Sequence, residues 1–230
     1  MNSPLQHSAF PVPGAQLSTS YSDEHGQAVI QLHGLTSSRQ RDRLLDLDLG
    51  RGLSGTRLLR YDARGHGTST GRAASTDYQW DTLAGDLLML LDAHFPHEQV
   101  HGVGPSMGCA TLLKAAVLNP DRFSGFTLML PPTAWESRKA QASEYLSRAE
   151  FLETHGMDAF LNAEKLHAQP PATVGTPDTV PDISAELLPW AYRGAAQSDL
   201  PSKEEIAKIT APTTILSWTD DPGHPVSTAI

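Results

Sequence analysis

The sequence predicts an α/β protein: a mostly parallel sheet with helices on both faces, interrupted late in the chain by a helical insertion. Three observations carry that reading. From Ala28 to Leu130 short apolar runs alternate with single helical patterns, and strands separated by one helix each pair in parallel through right-handed crossovers. One of these runs passes into its helix through Gly104-Pro105-Ser106-Met107-Gly108. After Pro131 the strand pattern stops, and it resumes only at Thr213.

Ala28-Val29-Ile30-Gln31-Leu32 reads as a buried strand ending at His33-Gly34, followed by a helix around Ser38 to Leu49 that Gly50-Arg51-Gly52 ends. Thr56 to Tyr61 is the next strand and opens into Asp62-Ala63-Arg64-Gly65-His66-Gly67. Trp80 to Phe95 carries Leu83, Leu87, Leu88, Leu90 and Leu91 at helical spacing, the pattern of an amphipathic helix lying on a sheet. Gln99 to Val103 is a strand, Cys109 to Leu118 a helix stopped by Asn119-Pro120, and Gly125 to Leu130 a further strand. Ligands of such sheets collect beyond the carboxyl ends of the strands. The His33-Gly34 loop, the Asp62 loop and Ser106 all fall at that edge.

A serine on a sharp strand-to-helix turn takes a strained backbone, and only glycine-sized neighbours let strand and helix pass so closely. The turn lifts the Ser106 hydroxyl clear of the sheet and puts the Met107 amide at a helix N-terminus, where it can donate to developing negative charge. Ser106 is therefore a candidate nucleophile. A bare G-x-S-x-G also occurs by chance in glycine-rich turns; the strand before it and the helix after it favour the catalytic reading.

From 133 to 210 the rhythm is helical. Trp135 to Thr154, Met157 to Ala168 and Ile183 to Arg193 read as helices, with a proline- and threonine-rich loop from Pro170 to Pro181. Ser202-Lys203-Glu204-Glu205 forms a capping box that starts a short helix. An all-helical insert at the ligand edge of a sheet is expected to act as a lid over a core made of residues 1–132 and 211–230.

At 230 residues the chain suits one domain with such an insert. A net charge of −9 argues against nucleic acid or an anionic membrane as partner. The single cysteine, Cys109, leaves no internal disulfide and no cysteine-based zinc site, and its place just after the turn predicts a small buried side chain. Met1 to His7 lacks a basic n-region and an apolar h-region, and no stretch reaches the length of a membrane span, so a cytoplasmic protein is expected.

His33-Gly34, Asp62-x-Arg64-Gly65-His66-Gly67-x-Ser69, the Ser106 turn and Asp221-Pro222-Gly223-His224-Pro225 occur in the order seen in the α/β-hydrolase superfamily. From Ala28 to its end the chain resembles a lid-bearing member, similar to the enol-lactonase and arylesterase branch. The resemblance implies an α/β-hydrolase core and acyl transfer on a small ester or lactone, with no cofactor and no metal. It implies Ser106 as nucleophile and the backbone amides of Leu35 and Met107 as oxyanion hole, with His33, Gly34, Gly104 and Gly108 supporting them. Its acid stands just after the strand Thr213 to Trp218, in a D-x-x-x-P context that Asp221 matches, with Asp220 the neighbouring alternative. Asp62, Arg64, His33 and His66 correspond to loop-organising positions.

In this family the general base is a histidine on a loop after one more strand. The chain stops at Ser227-Thr228-Ala229-Ile230, so the last strand, its helix and that histidine are expected to be missing. His224 lies three residues from Asp221 on the same loop, where the family carries no base, and is not expected to substitute. Two function classes follow. One is a serine hydrolase of small esters or lactones; the other is a truncated or degenerate hydrolase-fold protein that binds an acyl or carbonyl compound with little turnover. The strand from Thr213 is expected to form an exposed sheet edge that favours self-association.

Overall fold

The computed structural model describes residues 6–23, 25–49, 52, 54–166 and 170–230, and among these lie seven strands and seven α-helices. The strands are β1 (Gln6–Val12), β2 (Ala15–Asp23), β3 (Gln27–Gln31), β4 (Thr56–Tyr61), β5 (Val100–Pro105), β6 (Phe123–Met129) and β7 (Thr213–Leu216). They form one sheet in the order β1-β2-β4-β3-β5-β6-β7. Pairing is parallel from β4 across to β7 and antiparallel only where β1 meets β2 and β2 meets β4. Strand order reverses at β3, whose neighbours are β4 on one side and β5 on the other, and the crevice beyond those carboxyl ends holds both the His33 loop and Ser106.

The β1–β2 hairpin was not anticipated from the sequence. Pro13-Gly14 makes its turn, Gly14 supplying the positive φ of 83°, and Val12 pairs with Ala15 across it.

Helices α1 (Arg39–Leu44), α2 (Trp80–His94) and α3 (Met107–Leu118) connect the parallel strands. Leu83, Leu87, Leu90 and Leu91 of α2 are buried together with Cys109 and Leu112 of α3 and with Ile30, Leu59 and Phe126 of the sheet. Removing each such side chain from water contributes about 1.5–3 kcal/mol. α1 is shorter than expected; Ser38 caps it by accepting from the Arg41 amide, and the expected stop at Gly50-Arg51 lies outside the described residues.

Between β6 and β7 the chain is helical: α4 (Arg138–Glu164), α5 (Leu188–Ala196) and α6 (Lys203–Ile206). The helix predicted from Trp135 starts three residues later. Trp135 adopts φ of 51° and its amide donates to the Asp199 carboxylate instead of entering a helix. The two helices predicted on either side of residue 155 are one run broken at Gly156, where φ is 80° and ψ is 173°; the predicted end at Ala168 lies outside the described residues. The helix expected from Ile183 begins at Leu188, because Ile183 instead bridges to His66. The capping box at Ser202 and Glu205 forms as read.

This helical stretch has its own apolar cluster, in which Ala149, Leu152, Phe160, Leu188, Ala191 and Tyr192 are buried together. Arg138 ties it down. Its Nε donates to Ser198 O at 2.9 Å, Nη2 to Ala195 O at 2.5 Å and Nη1 to Thr133 Oγ1 at 3.2 Å, while the guanidinium lies 4.3 Å from the Trp80 ring centre.

β7 is an edge of the sheet among the described residues, and Ile215 and Leu216 on it are 43% and 51% exposed. After it come a loop and the short helix α7 (Val226–Ala229). No described helix is long and apolar enough to cross a membrane.

Candidate active site

Ser106 sits at the junction of β5 and α3 with φ of 50° and ψ of −110°, a backbone that side chains rarely take. Its neighbours show why the motif needs glycine. A Cβ placed on Gly104 meets the Gly108 carbonyl carbon at 2.9 Å, and one placed on Gly108 meets Leu32 Cβ at 3.0 Å and His33 O at 3.2 Å. The turn is held by the Ser106 amide donating to Met129 O at 3.0 Å. Cys109 is fully buried, its thiol donating to Gly104 O at 2.9 Å and Met129 O at 3.0 Å; burial pushes its pKa far up, so it is a packing residue, as its position suggested.

His224 is the residue that sequence reasoning set aside and that the structure brings to the serine. Its Nε2 lies 2.8 Å from Ser106 Oγ, and its Nδ1 lies 2.9 Å from Asp221 Oδ2. The loop after β7 makes this possible through a tight turn: the Gly223 amide donates to Asp221 Oδ1 at 3.0 Å and the His224 amide to Asp221 O at 3.1 Å. That turn folds the imidazole back over its own carboxylate. Thr133 ties the loop to the start of the insertion by donating its amide to Gly223 O at 3.1 Å. The expectation of a site without a histidine therefore does not describe the arrangement found. Sequence order had pointed to a base on a later strand; the available signal was a histidine three residues from the acid with glycine between them.

Asp221 also accepts from Trp218 Nε1 at 2.8 Å. Burial raises its pKa, but the His224 hydrogen bond and charge, the indole and the Gly223 amide outweigh it and bring the value down to about 2. An ionised carboxylate only accepts, so Nδ1 carries the imidazole proton and Nε2 is left to accept from the Ser106 hydroxyl. Asp220, the alternative acid, has φ of 61° and accepts from the hydroxyl of Thr219 at 3.3 Å; it is Asp221 that reaches the imidazole.

The loop residues stand where pairing and capping put them. His33 Nδ1 donates to Gly34 O at 2.8 Å and its Nε2 accepts from the Ala63 amide at 2.9 Å, which fixes Gly34 and Leu35 relative to the Asp62 loop. Asp62 accepts from the Arg39 amide at 2.9 Å and side chain at 3.0 Å; these contacts hold its carboxyl low against the opposing pull of burial. Arg64 pairs with Asp86 through two hydrogen bonds of 2.5 and 2.7 Å. His66 is buried, donates from Nδ1 to Arg64 O at 2.7 Å, and is pushed down to about 3 by burial and by neighbouring His33.

Gly34 brings the Leu35 loop against the turn, since a Cβ placed on it lies 3.7 Å from Ser106 Cβ. The Met107 amide is at the first position of α3, where no carbonyl one turn back in the helix can accept it. A cavity of about 330 Å³ opens over Ser106 and His224, walled by Leu35, by Phe160 and Leu161 of α4, and by Val180 and Pro181. No group of three or more His, Cys, Asp or Glu is arranged to hold a metal ion among the described residues.

Residues 27–225 match the family described as the alpha/beta hydrolase fold. Among solved structures, a hydrolase from Pseudomonas aeruginosa PA01 is similar over 97% of this chain and 83% of its own, at 22% identity and a TM-score of 0.76. The enol-lactonase from Burkholderia xenovorans LB400 is similar over 96% of this chain and 84% of its own, at 23% identity and a TM-score of 0.72. A putative aryl esterase from Burkholderia cenocepacia is similar over 97% and 85%, at 22% identity and 0.66. No curated protein sequence matches.

Proposed function

The chain belongs to the α/β-hydrolase fold family, and from that premise we propose that it is a serine hydrolase of small carboxylic esters or lactones. The observation that carries the reading is the His224 imidazole, hydrogen-bonded at once to Ser106 Oγ and to Asp221. Fold alone fixes no substrate. The similar enol-lactonase and aryl esterase make esters and lactones the compounds to assay first.

In this reading Ser106 Oγ attacks the carbonyl carbon as its proton passes to His224 Nε2. Asp221, ionised throughout the neutral range, stabilises the imidazolium that forms and keeps it oriented. The oxyanion receives the amides of Leu35 and Met107, where each donor is worth about 3 kcal/mol in the transition state. The imidazolium then protonates the departing alkoxide, and a water deprotonated by His224 releases the acid from Ser106. Residues 133–210 act as a lid: α4 and the segment around Val180 cover the cavity, limiting substrates to small acyl groups.

The test is covalent labelling by a fluorophosphonate, followed by peptide mapping. We expect the adduct on Ser106 and at least 100-fold slower labelling in His224→Ala. An adduct elsewhere with Ser106 untouched would refute the assignment; no adduct, with small acyl compounds still bound, would support the non-hydrolytic binding protein.

A further inference from the structure

Arg41 is a cation in the wall of the Ser106 cavity that forms no ion pair with a carboxylate among the described residues. It lies on α1, half-buried, with Nε donating to Thr179 Oγ1 at 3.0 Å and Nη1 to Thr36 O and Thr36 Oγ1, each at 3.0 Å. Nη2 donates to no described residue. Two carboxylates whose charge acts on Arg41 are engaged by hydroxyls, Asp42 accepting from Ser37 Oγ at 2.6 Å and Asp182 from Ser38 Oγ at 2.5 Å; neither these nor Asp178, which also lines the cavity, forms an ion pair with Arg41. Arg148 in the same cavity is different, paired at 3.0 Å with both Glu144 and Glu164.

A guanidinium offers five N–H donors in a planar fork, and an open edge matches a carboxylate. Burial lowers the pKa of Arg41, as expected of a cation short of counter-charge, yet arginine stays protonated. Its anchors hold it beside the site: Thr36 directly follows Leu35, and Thr179 adjoins the cavity residue Val180.

The geometry points to a substrate that carries a carboxylate in addition to its ester or lactone carbonyl, with Arg41 Nη2 receiving that carboxylate inside the cavity. This deepens the hydrolase reading and rests on it. The cavity volume keeps the two groups a short chain apart, as in a half-ester of a small dicarboxylic acid. Because Nη1 also braces Thr36, Arg41 acts on positioning as well as recognition, and the test must separate the two.

The experiment compares hydrolysis of the mono-4-nitrophenyl ester of glutaric acid with that of 4-nitrophenyl pentanoate, its uncharged counterpart. We expect the native chain to favour the glutarate half-ester at least 10-fold in kcat/KM, and Arg41→Gln to erase that preference by a factor of about 10–100. Arg41→Lys, which keeps the charge, retains most of it. Equal losses on both esters in Arg41→Gln mean that Arg41 only braces the loop, and overturn the proposal; so does a native chain without preference. Titration calorimetry of Ser106→Ala with monomethyl glutarate supplies a readout without turnover, expected to show binding that Arg41→Gln weakens by the same factor. If that binding is present and Arg41-dependent while neither ester is hydrolysed, the hydrolase reading fails and carboxylate recognition stands. If both esters are hydrolysed alike, the reverse holds.

Discussion

His224 Nε2 lies 2.8 Å from Ser106 Oγ although 118 residues separate the two in sequence, and the imidazole reaches that point from the same turn that supplies Asp221. Asp221 and His224 are three residues apart. In the proposed mechanism the proton path therefore depends on where one loop lies against the β5–α3 junction.

Replacing His224 by alanine is expected to lower kcat/KM on a 4-nitrophenyl ester by about 10⁴–10⁶-fold, the usual loss when the histidine of a triad is removed. Asp221→Asn should cost about 10⁴-fold, since an amide no longer fixes the imidazole proton on Nδ1. Initial rates on purified variants with unchanged melting temperature decide this. A His224→Ala chain of native activity would place the base elsewhere.

His66 predicts acid sensitivity. Its pKa falls from the ordinary 6.5 to about 3 in the folded chain, chiefly through burial. Between those values the unfolded state binds the extra proton, so the stability that neutral His66 permits is complete above pH 6.5 and is lost as pH falls toward about 3. The slope from this residue approaches about 1.4 kcal/mol per pH unit. Urea unfolding at pH 7 and pH 5 should show a shallower decline for His66→Asn than for the native chain, even if the variant starts lower. Parallel declines would remove His66 from the account.

Arg138→Met should destabilise the fold by about 3–5 kcal/mol, because Thr133, Ala195 and Ser198 lose a buried charged donor that nothing replaces. The loss is expected first in the near-ultraviolet signal of Trp80, which lies under the guanidinium. A change below about 0.5 kcal/mol would show that the contacts are dispensable.

Gly104→Ala tests the turn itself. Its new methyl would lie 2.9 Å from the Gly108 carbonyl carbon, which is backbone and cannot swing away, so strand and helix must separate. A cost of about 1–3 kcal/mol is expected, together with reduced labelling of Ser106. Full labelling at native stability would mean that the junction has slack.

How much of this was legible in the residues depended on how local each feature is. The parallel strands were readable because both faces are covered, leaving largely apolar runs such as Ala28 to Leu32, where only Gln31 is polar. The Ser106 turn was readable because steric crowding dictates its glycines. Strand β1 escaped notice because most of it is exposed and its polar residues precede its apolar ones, so no alternation marks it; the Pro13-Gly14 turn was its clearest trace. The helix start misplaced to Trp135 reflects a tertiary contact, the Asp199 carboxylate, that overrides local preference. His224 was named but set aside for a related reason: spacing in sequence says nothing about a turn that doubles back.

The tether between Thr133 and Gly223 has a mechanical consequence. Thr133 also receives the guanidinium of Arg138, so two hydrogen bonds link the first turn of α4 to the loop that carries the imidazole. The path from α4 to His224 is thereby only a few residues long. Because Asp221 travels with His224, slackening that link releases both groups at once. Under the hydrolase reading proposed above, loss of that one link would disengage acid and base together.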